Sequence, residues 1–519
     1  MWHELPDSNK AEYKRMILAF ASLTEMFAQK ATDDMPAPII NSKYQETVFQ
    51  KVFGATSEDK GNTSFDASLE QADEDGKKSR FLVGIKTFGI ASGAQKIAQF
   101  KAHSADWSSL ISKMEKNAQA RKGIALSKND ISSRNKALYK QLARKIATLR
   151  NMRIDSAIAN LQGFRISDCD EDIEMVYHVL MPSKKGEPPH IYVGETDYSK
   201  IDIDNISVTG CTTEKNPTNF DFTDGRHSYR YTSADSQLLM NFQNSDIVVE
   251  KWQMQYAADA YSIFSEIADK IHKEKITSAY ESYSWKINVE PYSGFNNFYG
   301  VGSKIGINER PKRIEKIRLK YSDCVKKQTL DTIIKYLSDF LTDKATTDAQ
   351  KQDKAHLRNK ILALIKCTEN TELEKDVSKL LFRPKSEIYI PIPNSAQFHA
   401  EHPDFFAPNA GKMNAKNSLI LDKERRRFTL VFEPSGDAIE SYITQDSGKA
   451  IESCEKQSYL GEWILRKVFQ LGEYEPLTYE RLEEIGINGI RLGRFRDDTS
   501  IHLQFIWIDD DDLPSDYIK

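Results

Sequence analysis

The sequence has few of the residues that form metal clusters or disulfide frameworks. Five cysteines occur in 519 residues, and none belongs to a CxxC pair. An odd, scattered set of this kind excludes a zinc ribbon and a disulfide-stapled fold. No apolar run reaches 18 residues, and the start Met-Trp-His-Glu-Leu-Pro does not resemble a signal peptide. The sequence therefore predicts a cytoplasmic protein without a membrane segment.

A strong excess of charge of one sign is also missing. The net charge of −4 gives no global signal for nucleic-acid binding. The distribution is uneven, because residues 101–150 contain twelve Lys or Arg and only three acids. Local basic stretches of this kind matter more to a DNA-binding protein than the overall charge. No Walker A motif and no HxK motif is present, so the sequence gives no indication of ATP use or of HxK-type nuclease chemistry.

The length of the chain predicts two to four domains, because one hydrophobic core does not grow to 519 residues. Apolar and polar patterning predicts a multidomain α+β protein with three regions. Residues 1–270 have mixed helix and strand patterns, residues 271–380 are mostly helical and rich in Lys, and residues 381–519 carry short strands and turns. We expect an amphipathic helix over 9–30, a second one capped by Ser42, a short helix over 94–102 and a further helix over 247–275.

The most specific chemical pattern is a carboxylate and a lysine on two successive apolar segments. Asp66 opens the segment that runs to Leu69, and Lys86 lies near the end of the segment that begins at Phe81. The acidic, glycine-containing run 70–78 between them predicts a hairpin. A carboxylate oxygen suits Mg²⁺, and an ammonium group can orient an attacking water or offset phosphate charge. The pattern therefore indicates phosphodiester hydrolysis.

This block resembles the PD-(D/E)XK nuclease core, in which Asp and Lys lie on adjacent strands and an upstream helix contributes a Glu. The resemblance implies that Asp66 and Glu46 bind Mg²⁺ and that Lys86 acts on water. Two family positions differ, since Gly84 stands where an acid is usual and Phe65 replaces a Pro. In some restriction endonucleases the missing acid lies on the following helix, which here gives Gln99 the catalytic position, with Gln95 one turn earlier. Glu70 is the spare carboxylate, on the hairpin loop.

The C-terminal region resembles the DNA-binding pseudobarrel shared by some restriction endonucleases and plant B-three transcription factors. The resemblance covers about 385–508 and implies two arms that grip the major groove, over 394–427 and 445–459. Amide and basic side chains there can read adenine and guanine edges. We expect the aromatic residues Tyr389, Phe405, Phe428, Phe432, Tyr459 and Trp463 to form barrel core. The candidate DNA-binding residues are Asn394, Gln397, His399, Lys412, Asn414, Lys416, Asn417, Arg425, Arg427, Gln445, Ser447, Lys449, Lys456 and Gln457.

Together the two resemblances imply a Type II restriction endonuclease. Its N-terminal domain (1–270) would have an α/β restriction-endonuclease-like core, followed by a helical connecting region (271–380) and a β pseudobarrel (381–519). They also imply Mg²⁺ as cofactor, double-stranded DNA as substrate, a homo-oligomer and a cognate DNA methyltransferase. Two alternatives stay open: a catalytically inactive sequence-specific DNA-binding protein, and a different hydrolase built on the strands of 151–245.

Overall fold

The structure is a computed structural model of the chain. It describes residues 1–27, 35–57, 65–72, 78–119, 126–164, 173–271, 280–289, 308–342, 347–382, 384–386, 388–444, 447–455, 458–495 and 498–519. These residues form two compact units, and each is a mixture of helices and strands. The first unit comprises Met1–Ala279, Glu433–Ser435 and Glu484–Ile487, and the second comprises Tyr280–Phe432, Gly436–Glu483 and Asn488–Lys519. A multidomain α+β architecture is therefore confirmed.

A six-stranded mixed sheet forms the centre of the first unit. Its strand order is β1-β2-β3-β5-β6-β11, and β3 and β5 run parallel whereas the other neighbours are antiparallel. Residues 81–85 of β3 are all buried, which explains their unbroken apolar sequence. The strands are β1 Thr56–Ser57, β2 Ala67–Ala72, β3 Lys78–Thr87, β5 Ile173–Pro182, β6 His190–Asp197 and β11 Val248–Gln253.

Helices cover both faces of this sheet. On one face, α1 and α2 bury Tyr13 and Phe49 against Phe81, Val83 and Ile85. On the other face, α3 and α4 share a core with Leu82 and Tyr177. The crossover from β3 to its parallel neighbour β5 includes the strand β4 (Gln95–Gln99) and the helices α3 (Ser104–Ala118) and α4 (Lys128–Gln162), because parallel pairing requires a long connection. The helices of this unit are α1 Asp7–Ser22, α2 Ser42–Phe53, α3 Ser104–Ala118, α4 Lys128–Gln162 and α5 Ala260–Ile271.

A second, antiparallel sheet packs into the same core as α3 and α4. Its order is β4-β10-β9-β8-β7. The prediction of a helix over 94–102 was wrong, because this segment forms a strand that pairs with β10. Pairing with a neighbouring strand outweighs the weak helical pattern of these few residues. The strands are β4 Gln95–Gln99, β7 Ser207–Thr213, β8 Asn216–Thr223, β9 Ser228–Thr232 and β10 Gln237–Met240.

The second unit contains a seven-stranded sheet of order β12-β17-β18-β14-β15-β16-β13. Its first strand, β12, comes from the stretch 271–380 that we expected to be mainly helical, and it pairs antiparallel with β17 over its whole length. The strands are β12 Tyr280–Lys286, β13 Ile390–Pro391, β14 Arg427–Glu433, β15 Asp437–Thr444, β16 Ala450–Ser453, β17 Gly489–Phe495 and β18 Ile501–Ile506.

Four consecutive helices of the second unit pack on a core of their own, which includes Ile333, Leu337, Ile361 and Leu373. They confirm the predicted helical block over about 308–380. These helices are α6 Arg310–Tyr321, α7 Lys327–Thr342, α8 Asp348–Lys366 and α9 Thr371–Leu381. Among the described residues, no helix is both long enough and apolar enough to span a membrane.

The remaining helices are short. They are α10 Ser395–Glu401, α11 Ser458–Gly461 with a π-helix Glu462–Val468 directly after it, and α12 Tyr479–Ile485. The described residues also include four 3-10 turns, over Trp2–Glu4, Thr24–Phe27, Lys101–His103 and Lys423–Arg426.

Candidate active site and DNA-contact loops

Asp66 and Lys86 come together at one end of the β2–β3 pair. Ala67 lies opposite Val83 in the register, so Asp66 stands beside the Gly84–Lys86 end of β3. Its Oδ2 accepts a hydrogen bond of 2.6 Å from the Ile85 N–H and lies 3.5 Å from Lys86 Nζ. Both side chains reach solvent, with exposed fractions of 20% for Asp66 and 28% for Lys86. The strand backbone therefore fixes one carboxylate oxygen next to an ammonium group.

Aromatic rings fill the space beside Gly84, the position at which the nuclease resemblance predicts an acid. A Cβ atom on Gly84 would lie 2.8 Å from ring carbons of both Tyr177 and Tyr198. These rings stack at 4.1 Å between centroids, and the Arg150 guanidinium lies 4.7 Å from the centre of the Tyr198 ring. Burial raises the pKa of Tyr177 far above its usual range. The backbone at Gly84 thus leaves no space for a carboxylate beside Lys86.

Helix α2 brings Glu46 to the same part of the sheet but not into contact with the pair. The side chain of Asn41, rather than that of Ser42, caps this helix by accepting a bond from the Tyr44 N–H. Glu46 is mostly buried, and its Oε2 accepts a bond of 2.9 Å from Lys43 Nζ. Among the described residues it makes no hydrogen bond or ion pair with Asp66 or Lys86. Its candidate role therefore requires a metal ion or substrate between them.

Gln45 connects α2 to the end of β3, and no pattern in the sequence predicted this role. The side chain is fully buried, and its Oε1 accepts a hydrogen bond from the Thr87 hydroxyl. Thr87 directly follows Lys86, so this bond fixes the position of the Glu46 helix relative to the lysine strand. No sequence pattern predicts this contact, because positions 45 and 87 are far apart along the chain and neither belongs to a recognisable motif.

Gln99 lies in a different environment from the one expected. It ends β4 of the second sheet, opposite Gln237, and its Nε2 donates a bond of 3.1 Å to the Asp235 carbonyl. Gln95 bonds locally to the Gly93 carbonyl. Because the segment is a strand and not a helix, the turn-by-turn spacing that favoured Gln99 does not apply.

Glu70 lies on β2 rather than in a loop, and its Oε2 accepts a bond of 3.1 Å from Arg80 Nε.

The carboxylates fit Mg²⁺ in donor type. Both hydrogen bonds of Asp66 go to Oδ2, and no donor among the described residues reaches Oδ1, which remains available to a cation. No three His, Cys, Asp or Glu side chains of the described chain lie close enough together to form a metal site. Mg²⁺ takes one or two carboxylates and completes its shell with water and substrate phosphate. Asp66 with Glu46 matches that sparse donor set.

In the second unit, residues 412–420 form an exposed hairpin, named here the 412–420 hairpin. The Ile420 N–H bonds to the Lys412 carbonyl, and the Asn414 N–H bonds to the Ser418 carbonyl. Asn414 Oδ1 shapes the turn by accepting bonds from the backbone of Lys416 and Ser418. Asn417 adopts a left-handed conformation with φ of 54°, which Asn tolerates well. Lys412, Asn414, Lys416 and Asn417 are all exposed on this hairpin.

The neighbouring candidate residues divide into exposed and engaged side chains. Asn394 and Gln397 are exposed, although Asn394 donates to the Lys519 carbonyl at 2.5 Å and Gln397 donates to Glu401 at 3.0 Å. Arg425 is exposed and its guanidinium has no partner among the described residues. Arg427 pairs with Glu424, and this bond raises the pKa of the guanidinium. Arg425 and Arg427 are exposed whereas Arg426 is half-buried.

The second candidate arm is described only in part. Lys449 is exposed and Ser447 is half-buried, and we call residues 447–449 the 447–449 loop. Gln445, Lys456 and Gln457 lie outside the described residues. Tyr459 was wrongly expected in the core, since 55% of it is exposed, whereas Phe405, Phe428, Phe432 and Trp463 are buried as predicted. Tyr389 is half-buried.

His399 is the clearest correction among the candidate DNA contacts. Only 1% of the residue is exposed, so its ring does not reach a ligand at the surface. Its Nε2 bonds to the Gly448 carbonyl at 2.9 Å. Burial lowers the pKa of the imidazole, and the bond to Gly448 opposes that shift. His399 is therefore a neutral, internal residue at pH 7.

Comparison of the sequence with models of known protein families and with curated proteins gives no match.

Proposed function

We propose that this protein is a Type II restriction endonuclease that hydrolyses phosphodiester bonds of double-stranded DNA with Mg²⁺. The observation that carries the proposal is the Asp66–Lys86 pair at a solvent-accessible strand end. Oδ2 of the carboxylate lies beside the ammonium group, and no donor among the described residues bonds to Oδ1. The adjacent strands and the upstream helix with Glu46 support the same reading, because the PD-(D/E)XK resemblance implies that arrangement.

In this proposal each residue has a defined task. Asp66 and Glu46 would hold Mg²⁺, and the Ile85 N–H keeps the Asp66 carboxylate in one orientation. When bound, the ion would supply Lewis acidity toward the phosphate. Lys86 orients the attacking water and offsets the charge that develops on the phosphate. The resemblance implies products with a 3′-hydroxyl and a 5′-phosphate.

DNA recognition is assigned to the second unit, whose seven-stranded sheet we interpret as a B-three-like pseudobarrel. The 412–420 hairpin and the 447–449 loop expose Lys412, Lys416, Asn417 and Lys449, residue types that contact phosphates and read base edges. Because one active site cuts one strand, cleavage of both strands favours a homo-oligomer. A cognate methyltransferase in the same cytoplasm would protect the host DNA.

The deciding experiment incubates the purified protein with unmethylated phage DNA, with Mg²⁺ or with EDTA, and separates the products on a gel. Discrete fragments that appear only with Mg²⁺ are the expected result. The variant Asp66→Asn should then leave the DNA intact, whereas Asp235→Asn, an exposed carboxylate of the same unit, should cut normally. Cleavage that persists in Asp66→Asn would refute the assignment of the site.

The alternative of an inactive DNA-binding protein draws on one observation, the replacement of the family acid by Gly84 in a space filled by Tyr177 and Tyr198. That alternative predicts retarded but uncut DNA in a native gel at every Mg²⁺ concentration. A native gel of the same Mg²⁺ and EDTA mixtures therefore separates the two functions. A protein that neither cuts nor retards a pool of random duplexes would favour an unrelated hydrolase built on the strands of 151–245.

A further inference from the structure

The ring of His399 lies between the two loops that carry the exposed candidate DNA contacts. Helix α10 holds the ring in the interior of the second unit. A Cβ atom on Gly411 would lie 2.8 Å from His399 Nδ1, and a Cβ atom on Gly448 would lie 2.5 Å from Nε2. Gly411 directly precedes the 412–420 hairpin, and Gly448 is the middle residue of the 447–449 loop. One imidazole thus touches the backbone of both loops.

The hydrogen bonding fixes the chemical state of the ring. The Gly448 carbonyl is an acceptor, so Nε2 carries the proton and donates across 2.9 Å. Nδ1 is then an unprotonated acceptor that faces Gly411, and it has no hydrogen-bond partner in the described part of the chain. Only glycine leaves space for the ring on both sides. Two further hydrogen bonds hold the 447–449 loop in place: Ser395 Oγ donates to the Ser447 carbonyl, and the Ile392 N–H donates to the Lys449 carbonyl.

We propose that His399 is a positioning residue that sets the separation of the 412–420 hairpin and the 447–449 loop, so that both engage one DNA site together. The proposal rests on the proposed function, because it concerns how that same DNA is recognised. His399 does not touch DNA in this scheme. It acts through the backbone of Gly411 and Gly448, and its loss uncouples two surfaces that each retain their own side chains.

The expected consequence is a loss of sequence selectivity rather than of DNA affinity in general. Phosphate contacts by Lys416 and Lys449 supply affinity for any duplex, whereas reading bases on both sides of a groove requires the loops in fixed register. The His399→Ala variant should therefore bind non-cognate duplex within about twofold of the unmodified protein while its preference for cognate duplex falls roughly tenfold.

The test first selects preferred duplexes from a random pool with the full chain in EDTA, then measures binding to the selected and to a scrambled duplex. His399→Gln should restore much of the selectivity, because its side-chain amide can still donate toward the Gly448 carbonyl. His402→Ala is the matched control from the residue directly after α10, since His402 bonds to Tyr283 and not to either loop. Thermal melting of each variant reports whether the unit remains folded.

A double-mutant cycle gives a readout that a merely structural role would not change. In the unmodified protein the effects of Lys416→Ala and Lys449→Ala on cognate binding should be coupled by roughly threefold or more, and in His399→Ala or Gly411→Ala that coupling should shrink. Gly411→Ala serves if His399→Ala fails to fold, because its methyl group meets the ring at Nδ1, and the Pro403 backbone at 3.1 Å, while the Gly448 side of the ring is left unchanged. Unchanged selectivity and coupling in folded variants would overturn the proposal. If the unmodified protein selects no sequence at all, the proposed DNA recognition itself is refuted.

Discussion

The two units differ in what holds their candidate functional side chains. In the first unit Asp66 and Lys86 stand at the ends of paired strands, and a backbone N–H fixes the carboxylate. In the second unit Lys416 and Lys449 stand on loops, and the buried side chain of His399 connects those loops. Strands hold groups at the sub-ångström precision that bond cleavage needs, whereas loops adapt to a partner surface. This difference agrees with the proposed function, in which the first unit cleaves DNA and the second unit recognises it.

The largest effect should come from removing the ammonium group of the first unit. Lys86→Ala should lower the rate of DNA cleavage by roughly 10²- to 10⁴-fold, because the water and the phosphate lose their nearest positive charge. DNA binding by the second unit should not change. Lys96→Ala, an exposed lysine of β4, is the matched control and should cut at the normal rate. An equal decrease in the cleavage rate of Lys86→Ala and Lys96→Ala would contradict the assignment of catalysis to the Lys86 site.

The next largest effect concerns the strand that supports the site. Gly84→Asp introduces the acid that the nuclease resemblance predicts at this position. The substitution should nevertheless reduce the free energy of unfolding by roughly 3 kcal/mol or more, because its Cβ meets Tyr177 and Tyr198 and its carboxylate becomes buried. Urea denaturation measures this. Gly93→Asp, where a Cβ meets nothing within 4 Å, should be nearly neutral. A Gly84→Asp variant that is as stable as the unmodified protein and cleaves DNA faster would contradict this prediction, because it would show that the Tyr177 and Tyr198 rings move aside at little cost.

A third prediction uses the buried histidine of the first unit. Burial lowers the pKa of His178 to about 3, so the folded unit keeps it neutral while the unfolded chain takes up a proton below about pH 6.5. Stability is fully present above that pH and falls as the pH drops toward 3, by about 1.4 kcal/mol per pH unit for one proton.

Hydrogen exchange of β5, measured by mass spectrometry between pH 7 and pH 4, checks this after correction for the intrinsic exchange rate. The variant His178→Phe keeps an aromatic ring beside Trp2 and should lose that part of the pH dependence. His190→Phe, at a partly exposed histidine of β6, should retain it. An identical slope in His178→Phe and the unmodified protein would exclude His178 as the cause.

The smallest effects belong to single loop lysines of the second unit. Lys416→Ala should weaken binding to cognate and scrambled duplex alike by a few fold, and the slope of log affinity against log salt should fall by about one, because a phosphate contact carries no sequence information. Lys366→Ala, at an exposed lysine of α8, should leave both quantities unchanged. A base-specific loss in Lys416→Ala would assign that lysine to sequence reading instead.

Sequence patterns predicted the elements that carry their signal locally. The apolar segments around Asp66 and Lys86 became neighbouring strands, and the Lys-rich block after residue 308 became four helices. The prediction of a helix over 94–102 was wrong, because a strand of five residues, none of them fully buried, holds too little information to distinguish a strand from a helix. Residues 248–253 were likewise expected in a helix and form the edge strand β11.

The sequence by itself determined the residue types and the strand pattern that bring a carboxylate and a lysine to one end of a hairpin, since alternation and turn composition are local properties. Only the tertiary structure decided that Gly84 is packed by Tyr177 and Tyr198, that Gln45 holds the end of β3, and that His399 is buried between two loops. Each of these joins residues distant along the chain. Their contacts depend on how layers pack, and packing is a property of the whole fold rather than of any segment.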